Sequence, residues 1–467
     1  KAVVDAAAKI PGVVHAEDNL YTCSQDTLKK IKDTIQEYNL NRVVVASCTI
    51  RTHQPLFREA LREAGLNQFY FEMANIRDQC SWVHRNEPAN ATLKAIDLVR
   101  MAVAKVKRHE ALHLHPVAVV QKALIIGGGI AGLTAALNVA AQGYEAIIVE
   151  REAELGGMAR CLRATLEGED LQALLQDLIA RVQANPRIQV YTGAQVEDFG
   201  GHQGHFTTTI SLAEPGREHL RRTLKLEHGV VIVATGSQEL QTNAYLYGQD
   251  ERVVTNTQLE QALFDGRWDV EKNRQVVFIQ CVGSRDEEHP YCSRTCCAQT
   301  IKNALAIKAR NPEAQVYVLY RDIRTYAFME DYYRQAREKG VLFIPYEPEA
   351  PPQVRQREIG LLEVAVKDPD SGRDLVLWPD QLVLATGAVP PDGVEKLATM
   401  LKLPLNEDKF YVETHAKLAP IDFPTAGIFL CGSGHSPKLA AEAIAQAEGA
   451  VARACTVLSR ENLMVGG

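Results

Sequence analysis

Hydrophobic and polar positions follow two alternating patterns along this chain, and these patterns predict strands and helices in turn. Short runs of aliphatic and β-branched residues, such as 122–126 and 230–234, are typical of buried strands. Between such runs lie segments with apolar residues at helical spacing, for example 91–108, whose basic end suits the helix dipole. This order of elements favours an α/β fold with parallel sheets.

Residues 1–115 predict a small N-terminal α/β domain. Either Ser24 or Asp26 is the candidate N-cap of its first helix. We interpret 113–116 as the linker that leads out of the domain. The predicted elements are helices over 26–38, 54–64 and 91–108 and strands over 41–47 and 68–73.

A strand–helix–strand unit follows, and it carries a glycine fingerprint. The strand 122–126 leads into Gly127-x-Gly129-x-x-Gly132, which opens an Ala/Leu-rich helix. At this spacing the three glycines permit a tight turn, close approach of the backbone to a pyrophosphate, and packing of the helix on the strand. The helix N-terminus favours phosphate groups. The fingerprint therefore predicts a dinucleotide site, against the alternative of a glycine-rich turn without ligand.

An acidic residue follows the second strand, at the position where dinucleotide-binding sites usually have one. The second strand, over 144–149, ends in Glu150, about twenty residues after the fingerprint. A carboxylate there can accept hydrogen bonds from an adenosine ribose. Together with the strand and helix, it makes the nucleotide prediction specific.

Composition and charge narrow the possible partners. The chain has 467 residues, 46% of them hydrophobic and 23% charged, and its net charge is −7. This balance excludes a disordered protein, and it provides no basic surface for nucleic acid. No apolar run is long enough to span a membrane. The chain begins at Lys1 without a signal segment, so we expect part of a longer cytoplasmic protein whose thiols are reduced.

Four of the ten cysteines lie close together in the sequence, and this clustering indicates metal or redox chemistry. An apolar strand leads to the first, and the other three lie near the start of the next helix. We expect helix-start amides and Arg294 to lower the thiol pKa values there. The spacing differs from that of ferredoxins. A [4Fe–4S] cluster is the leading interpretation, while zinc, a redox thiol pair and buried structural cysteines remain alternatives. These cysteines are Cys281, Cys292, Cys296 and Cys297.

Several short segments resemble flavoproteins with two dinucleotide-binding domains, the thioredoxin reductase and disulfide reductase superfamily. They are Arg151 to Gly157 directly after Glu150, and the Ala-Thr-Gly segments 234–236 and 385–387. The resemblance implies an FAD-binding domain over 116–240 and 385–467 and a second lobe over 241–384. The residues that it assigns to FAD binding are Gly127, Gly129, Ile130, Ala131, Gly132, Glu150, Arg151, Gly156, Gly157, Ala234, Thr235, Gly236, Gly432, Ser433 and Lys438.

The turn 432–433 departs from the superfamily's sequence pattern, and the role of Lys438 follows only from the resemblance. Gly432-Ser433 stands where the superfamily usually has Gly-Asp, so a serine hydroxyl or backbone amides would replace a carboxylate contact to the flavin. Lys438 corresponds to a helix start that faces the flavin ring, where a positive charge would stabilise reduced flavin. It is the candidate catalytic residue, with an exposed lysine as the alternative.

The second lobe lacks the glycine fingerprint that would bind NAD(P)H. Its first strand, over 275–280, runs instead into the cysteine segment. Without a close backbone approach to a pyrophosphate, direct NAD(P)H binding is disfavoured.

Longer motifs resemble the A-type subunit of heterodisulfide reductase over nearly the whole chain. This family implies FAD and [4Fe–4S] clusters, and flavin-based electron bifurcation in anaerobes. The implied partners are heterodisulfide reductase B- and C-type subunits, a hydrogenase or formate dehydrogenase-type electron donor, and ferredoxin, assembled as an oligomer of heteromeric units. The motifs are 19–25, 46–48, 51–53, 75–84, 278–286 and 291–297.

The same resemblance implies a second iron–sulfur cluster in the N-terminal domain, with Cys23, Cys48 and Cys80 as ligands. Buried cysteines that act as small hydrophobic residues are the alternative. Longer family members carry a ferredoxin-like insert before the first Ala-Thr-Gly segment and another ferredoxin domain at the C-terminus. The short stretch 214–228 leaves no room for the insert, and the C-terminal domain would begin beyond Gly467.

Three functions follow for comparison. The first is an electron-transferring flavoprotein and iron–sulfur protein of a larger complex. The second is an NAD(P)H-dependent disulfide or polysulfide reductase, which needs the nucleotide fingerprint that the second lobe lacks. The third is a flavin-bearing scaffold that does not turn over.

Overall fold

The computed structural model describes residues 1–214, 217–269, 271–357, 360–369 and 371–466. These residues divide into two compact units. The first comprises Lys1–Val117, Thr414–Pro420 and Leu463–Gly467, and the second comprises Ala118–Glu413 and Ile421–Asn462.

The first unit is built around two parallel strands covered by helices. Ser47 at the end of β1 pairs with Asn75 at the end of β2, so both strands end at the same edge. Phe57, Leu61 and Phe71 are fully buried in its core. Its elements are α1 (Ala2–Ala7), α2 (Gln25–Glu37), β1 (Val43–Ser47), α3 (Ile50–Glu63), β2 (Phe71–Asn75), a π-helix (Arg77–Trp82), α4 (Pro88–Val106) and β3 (Leu114–Ala118).

Two expectations for this unit are decided by its geometry. Ser24 is the N-cap of α2, because its Oγ accepts the Thr27 N–H at 3.3 Å, and Asp26 lies inside the helix. The predicted linker 113–116 lies in a strand, Leu114–Ala118, which pairs with the last strand, Asn462–Gly466, although the chain does leave the first unit directly after it, at Val117. A partner so distant in sequence leaves no local signal.

The second unit holds the strands β4 to β21 and the helices α5 to α11. The strands are β4 (Lys122–Ile126), β5 (Glu145–Val149), β6 (Ile188–Tyr191), β7 (Ala194–His202), β8 (His205–Glu214), β9 (Arg217–His228), β10 (Val230–Val233), β11 (Gln238–Glu239), β12 (Val253–Thr255), β13 (Gln275–Val282), β14 (Gln315–Tyr320), β15 (Val341–Pro345), β16 (Gln353–Gln356), β17 (Leu362–Lys367), β18 (Asp374–Leu377), β19 (Gln381–Thr386), β20 (Ala388–Val389) and β21 (Ile428–Leu430). The helices are α5 (Ile130–Ala141), α6 (Leu171–Ala184), α7 (Asn256–Phe264), α8 (Cys296–Arg310), α9 (Met329–Glu338), α10 (Val394–Leu401) and α11 (Ala440–Leu458), with short 3-10 turns at Gly157–Cys161, Ala244–Leu246 and Gly432–Gly434.

Two parallel sheets organise the second unit. Within the described residues, one has the strand order β21-β10-β4-β5-β6 and the other β12-β19-β13-β14-β15. Their strands are almost entirely apolar because both faces are covered, by helices on one face and by a three-stranded antiparallel sheet, β7-β8-β9 or β16-β17-β18, on the other. We name the first sheet with α5, α6 and α11 the glycine lobe, and the second sheet with α7, α8 and α9 the cysteine lobe.

The lobe boundaries inferred from the sequence stay predictions. The first sheet nevertheless draws its strands from 122–233 and 428–430, and the second from 253–386. The stretch 214–228, in which we expected no room for an insert, contains the strand Arg217–His228, while its residues 215 and 216 lie outside the described residues. Gly467 also lies outside the described residues. None of the helices that the structure describes is both long and apolar enough to cross a membrane.

Candidate functional site

The glycine fingerprint lies between β4 and the start of α5, and two of its glycines are required by close packing. Gly127 has φ +112°, and a Cβ on it would lie 2.3 Å from the Ala234 carbonyl oxygen. A Cβ on Gly132 would lie 1.9 Å from the Gly127 oxygen. Gly129 differs, since a Cβ there would meet no atom within 4 Å. The backbone at Gly129 therefore borders open space at the N-terminus of α5.

The Gly156-Gly157 turn forms a second wall of this space. The Gly156 N–H donates to the Gly128 oxygen at 2.8 Å, and a Cβ on Gly157 would lie 3.3 Å from the Gly129 Cα. Both turn glycines have positive φ, +118° and +52°. Side chains at these positions would strain the turn.

Glu150 is buried next to the fingerprint. Its Oε2 accepts the Gly128 N–H at 2.6 Å, and its Oε1 accepts the Glu152 N–H at 2.8 Å. The carboxylate is thereby oriented toward the glycine loop. Arg151 points elsewhere, because its Nη1 donates to the Asp392 oxygen at 3.0 Å.

The turn that follows β21 lies next to the start of α5 and to the segment 234–236. The Gly432 N–H donates to Gln446 Oε1 at 2.9 Å, and a Cβ on Gly432 would lie 3.0 Å from Ala131 Cβ. A Cβ on Gly434 would lie 3.0 Å from Thr235 Oγ1. The predicted flavin-binding segments thus meet as one glycine cradle. Its backbone segments are 127–132, 156–157, 234–236 and 432–434.

Lys438 lies just before α11, which begins at Ala440. Its Nζ donates to Ser436 Oγ at 2.7 Å. Burial, and next the charge of Arg294, lower the pKa of Lys438. His435 nearby contacts Glu413 at 2.8 Å and Gln446 at 2.9 Å, which fixes its ring.

The cysteine segment follows an unusual backbone path. Cys281, the second-last residue of β13, has φ +61°, and Gly283, Arg285 and Arg294 also have positive φ. Left-handed conformations are costly for non-glycine residues and often occur at functional sites. The path ends where Cys296 and Cys297 open α8.

The four predicted ligand cysteines share one neighbourhood. A hydrogen bond from Cys296 to Cys297 raises the pKa of Cys296 most, followed by burial and then by the charges of Cys297, Cys281 and Cys292. The same hydrogen bond, with the Arg324 backbone N–H, lowers the pKa of Cys297. The pKa of Cys297 is thus lowered by Cys296 and Arg324, and not by the Arg294 charge that we expected from the sequence. At Cys281 burial dominates and raises the thiol pKa.

Positive and polar groups surround these sulfurs. The Arg294 N–H donates to Cys292 Sγ at 3.3 Å, and Arg285 Nη1 lies 3.9 Å from Cys281 Sγ. Soft thiolate donors with positive charge nearby fit an anionic iron–sulfur cluster, and thiolates also fit zinc. Across the described parts of the chain, no three Cys, His, Asp or Glu side chains converge as a metal site. The ligand set stays a prediction.

The three cysteines of the first unit lie in different settings. Cys48 directly follows β1, and Cys80 lies in the π-helix after β2, so both follow the ends of neighbouring strands. Both are buried, and burial raises the pKa of Cys80. Cys23 is exposed next to the start of α2. A second cluster at these residues also stays a prediction.

Sequence reasoning did not identify the residues that join the cysteine segment to the glycine lobe. Arg294 bonds Pro437 and Glu442, and Glu260 and Lys302 hold the segment 163–164. These contacts join residues about 100 to 150 positions apart, and no spacing rule reveals them.

Comparison with known proteins identifies this chain's relatives. The model of the family described as pyridine nucleotide-disulphide oxidoreductase matches residues 121–277. A thioredoxin reductase from Lactococcus lactis has the same two-lobe fold at a TM-score of 0.50, with 15% identity over 72% of this chain and 99% of that one. At this identity, the likeness establishes the fold alone.

Curated relatives match nearly the entire chain. The A-type subunit of H(2):CoB-CoM heterodisulfide,ferredoxin reductase from Methanothermobacter thermautotrophicus is 35% identical over 97% of this chain and 82% of its own. The second of two A-type iron-sulfur subunits of CoB--CoM heterodisulfide reductase from Methanopyrus kandleri is 34% identical over 100% and 84%. The alignment with the first relative covers 540 positions, more than the 467 residues here, so that relative has internal segments that this chain lacks.

Proposed function

The chain belongs to the family of heterodisulfide reductase A-type subunits, which are oxidoreductases, and we propose that it transfers electrons between FAD and a [4Fe–4S] cluster held in its second unit. Its place as a redox electron-transfer subunit follows from the family. The identity of the two cofactors and of their binding residues is the proposal.

The glycine cradle is the proposed FAD site. The N-terminus of α5 faces the open space at Gly129 and would bind the pyrophosphate. Glu150, which the Gly128 N–H holds beside the loop, would accept hydrogen bonds from the ribose, as its position after β5 favours. The Gly432-Ser433 turn and Lys438 would contact the flavin end. FAD supplies an acceptor of two electrons that can release them singly.

The proposed cluster ligands are Cys281, Cys292, Cys296 and Cys297. The observation that carries the proposal is the placement of these cysteines, since Cys281 lies near the end of β13 with φ +61° and Cys296 and Cys297 open α8. Arg285 and Arg294 bring donors to two of these sulfurs and would stabilise an anionic cluster. A second cluster at Cys23, Cys48 and Cys80 is proposed on the family resemblance.

Electron bifurcation is proposed on the same grounds. The name of one relative joins a heterodisulfide and ferredoxin as reactants with H(2). On the family resemblance, we propose B- and C-type subunits, a hydrogenase or formate dehydrogenase-type donor, and ferredoxin as partners. The short stretch 214–228 leaves no room for the family's ferredoxin-like insert, so we propose that a partner supplies that relay.

Direct reduction by NAD(P)H is the competing function, favoured by the name of the matching family. Its weakness is the cysteine segment that stands where the second nucleotide fingerprint would be.

Cofactor analysis of anaerobically purified protein tests the proposal. We expect one FAD per chain, iron with acid-labile sulfide, and a broad absorbance that dithionite bleaches. Cys296→Ser should lose most of the iron and keep FAD, because it removes a ligand without touching the cradle. Cys455→Ser in α11 is the matched control and should keep both. Iron content unchanged by Cys296→Ser, or NADPH reduction of an iron-free protein, would contradict the proposal.

A further inference from the structure

Two sets of hydrogen bonds fasten the cysteine segment to the glycine lobe, one on each side of the Cys296-Cys297 pair. Both lie within the second unit. In the part of the chain that the structure describes, the side chains of neither set form hydrogen bonds with the cradle glycines or the cysteine sulfurs.

The first set is made by Arg294, between Cys292 and Cys296. Its Nη1 donates to the Pro437 oxygen at 3.2 Å, and its Nη2 donates to Glu442 Oε1 at 2.8 Å. The other oxygen of Glu442 accepts the Leu439 N–H at 2.9 Å, which fixes the carboxylate at the start of α11. Arg294 therefore connects the cysteine segment to the backbone next to Lys438.

The second set is a buried ion pair between α7 and α8. Lys302 Nζ lies 2.7 Å from Glu260 Oε1, and the Glu260 side chain is 0% exposed. The same Glu260 oxygen accepts the Arg163 N–H at 2.6 Å and the Ala164 N–H at 3.3 Å. Lys302 in turn donates to the Ala164 oxygen at 2.7 Å. The pair thus holds a backbone segment that directly follows the Gly157–Cys161 turn.

Further contacts surround this ion pair. Arg163 Nε donates to Asp265 Oδ1 at 2.9 Å, and Gln261 Nε2 donates to the Cys161 oxygen at 3.3 Å. Leu166 packs into the hydrophobic core of the cysteine lobe. The segment 161–166 is therefore docked on α7 and α8 by charge, backbone bonds and apolar contact.

We propose that Arg294 and the Glu260–Lys302 pair are positioning residues that hold the glycine cradle and the cysteine segment as one rigid body. The inference rests on the proposed function, since it assigns these residues to fixing the distance between flavin and cluster. In such a transfer, reduced flavin loses one electron and the thiolate-held centre gains it. The rate of this step depends on a distance that rotation of the lobes would change.

The buried Glu260–Lys302 pair is not needed for the stability of the contact between the lobes. Burying both charges costs several kcal/mol per ion, and apolar replacements of similar size are often as stable. A pair that binds three backbone groups of the opposite lobe does something that an apolar pair cannot. It fixes the direction and register of the contact.

Lys302→Met and Arg294→Met test the proposal separately, each in the intact holoprotein. Lys302→Arg, which can still donate to Ala164, is the conservative variant. Lys308→Met is the matched control, because Lys308 is a buried lysine of the same helix that donates to the nearby Pro312 oxygen. Iron, sulfide and FAD content, and the midpoint potentials of both cofactors, are measured first. The electron-transfer rate from reduced flavin to the cluster and amide hydrogen exchange over 161–166 follow.

We expect Lys302→Met to keep both cofactors and their potentials but to slow the electron transfer several-fold, since the tunnelling rate falls steeply with the distance between the cofactors. Arg294→Met should slow the transfer by more than its change in midpoint potentials explains, because it also removes a positive charge near Lys438. Lys302→Met should also speed exchange of the Arg163 and Ala164 amides, and Lys302→Arg should restore both readouts. An unchanged transfer rate with intact cofactors, or equal effects from Lys308→Met, would overturn the inference.

The proposed function and this inference fail in different ways. A wild-type protein without flavin or iron contradicts the proposed function. In that protein, amide hydrogen exchange still tests whether the Glu260–Lys302 pair holds the segment 163–164. If the Arg163 and Ala164 amides stay equally protected in Lys302→Met, the proposed contact is contradicted.

Discussion

At the scale of single residues, His228 shows how a buried side chain links stability to pH. The ring is 0% exposed, Thr208 Oγ1 lies 2.8 Å from Nε2, and Nδ1 lies 3.0 Å from the Val230 oxygen. Burial lowers the pKa of His228 from 6.5 to about 4. The folded state thus binds fewer protons than the unfolded state at mildly acidic pH.

The contribution of His228 to stability is complete above about pH 6.5 and is lost as the pH falls toward 4. Between pH 7 and pH 5 we expect the wild type to lose about 2 kcal/mol more unfolding free energy than His228→Gln. Urea unfolding at the two pH values measures this difference. The exposed His202→Gln is the control and should behave as the wild type does. Equal pH dependence of the wild type and His228→Gln would refute the prediction.

Single residues with a chemical signature were the easiest to identify from the sequence. Gly127, Gly132 and Glu150 were named from spacing alone, and the structure shows why two of those glycines exclude a side chain. Arg151 was named on resemblance, and its side chain is directed to Asp392 instead of the cradle. Spacing identifies backbone requirements well, whereas the direction of a long flexible side chain depends on partners far along the chain.

At the scale of elements, local pattern succeeded where an element is buried. The strand 122–126 was predicted with the bounds that the structure has, and the helix 26–38 differs from Gln25–Glu37 by one residue at each end. The strand Ala194–His202 was not predicted, since only Ala194 in it is buried and its end carries two glycines. Exposed strands pair through backbone bonds and leave little hydrophobic pattern.

The contact between α5 and β4 provides a prediction at this scale. Gly132→Ala should abolish FAD binding and destabilise the second unit by about 1–3 kcal/mol, because the new Cβ would lie 1.9 Å from the Gly127 oxygen and force the helix away. FAD content and urea unfolding measure the two effects.

Gly449→Ala in α11 is the matched control for Gly132→Ala. Its Cβ would meet the mobile end of Ile421 at 3.2 Å, so we expect normal FAD content and stability equal to or up to about 1 kcal/mol above the wild type. Equal behaviour of the two variants would show that the close approach at Gly132 is unimportant.

At the scale of the whole molecule, long-range connections are what the sequence could not provide. The resemblance to heterodisulfide reductase A-type subunits indicated the family, and the flavoprotein motifs indicated the two-lobe fold. Arg294 and Glu442 are 148 positions apart, and their bond depends on how two lobes pack. The same holds for β3, whose partner strand lies at the other end of the chain.

The division into two units gives the molecule a testable thermodynamic signature. If each unit has its own core, unfolding is not a single two-state transition, and a ligand stabilises only the unit that binds it. We expect free FAD at about 100 times its Kd to stabilise the second unit by about 2.7 kcal/mol and leave the first unchanged. Differential scanning calorimetry with and without added FAD measures both transitions.

Gly129→Val supplies the control for this experiment. Its side chain would enter the open space where we propose that the pyrophosphate binds, so added FAD should shift neither transition. Because a Cβ at Gly129 meets no other atom, the variant should fold like the wild type in the absence of FAD. A shift of the first unit's transition by FAD, or an undiminished shift in Gly129→Val, would place the flavin elsewhere in the chain. If FAD shifts the unfolding transition of the second unit in the wild type but not in Gly129→Val, FAD stabilises that unit by binding in the space between its four glycine segments.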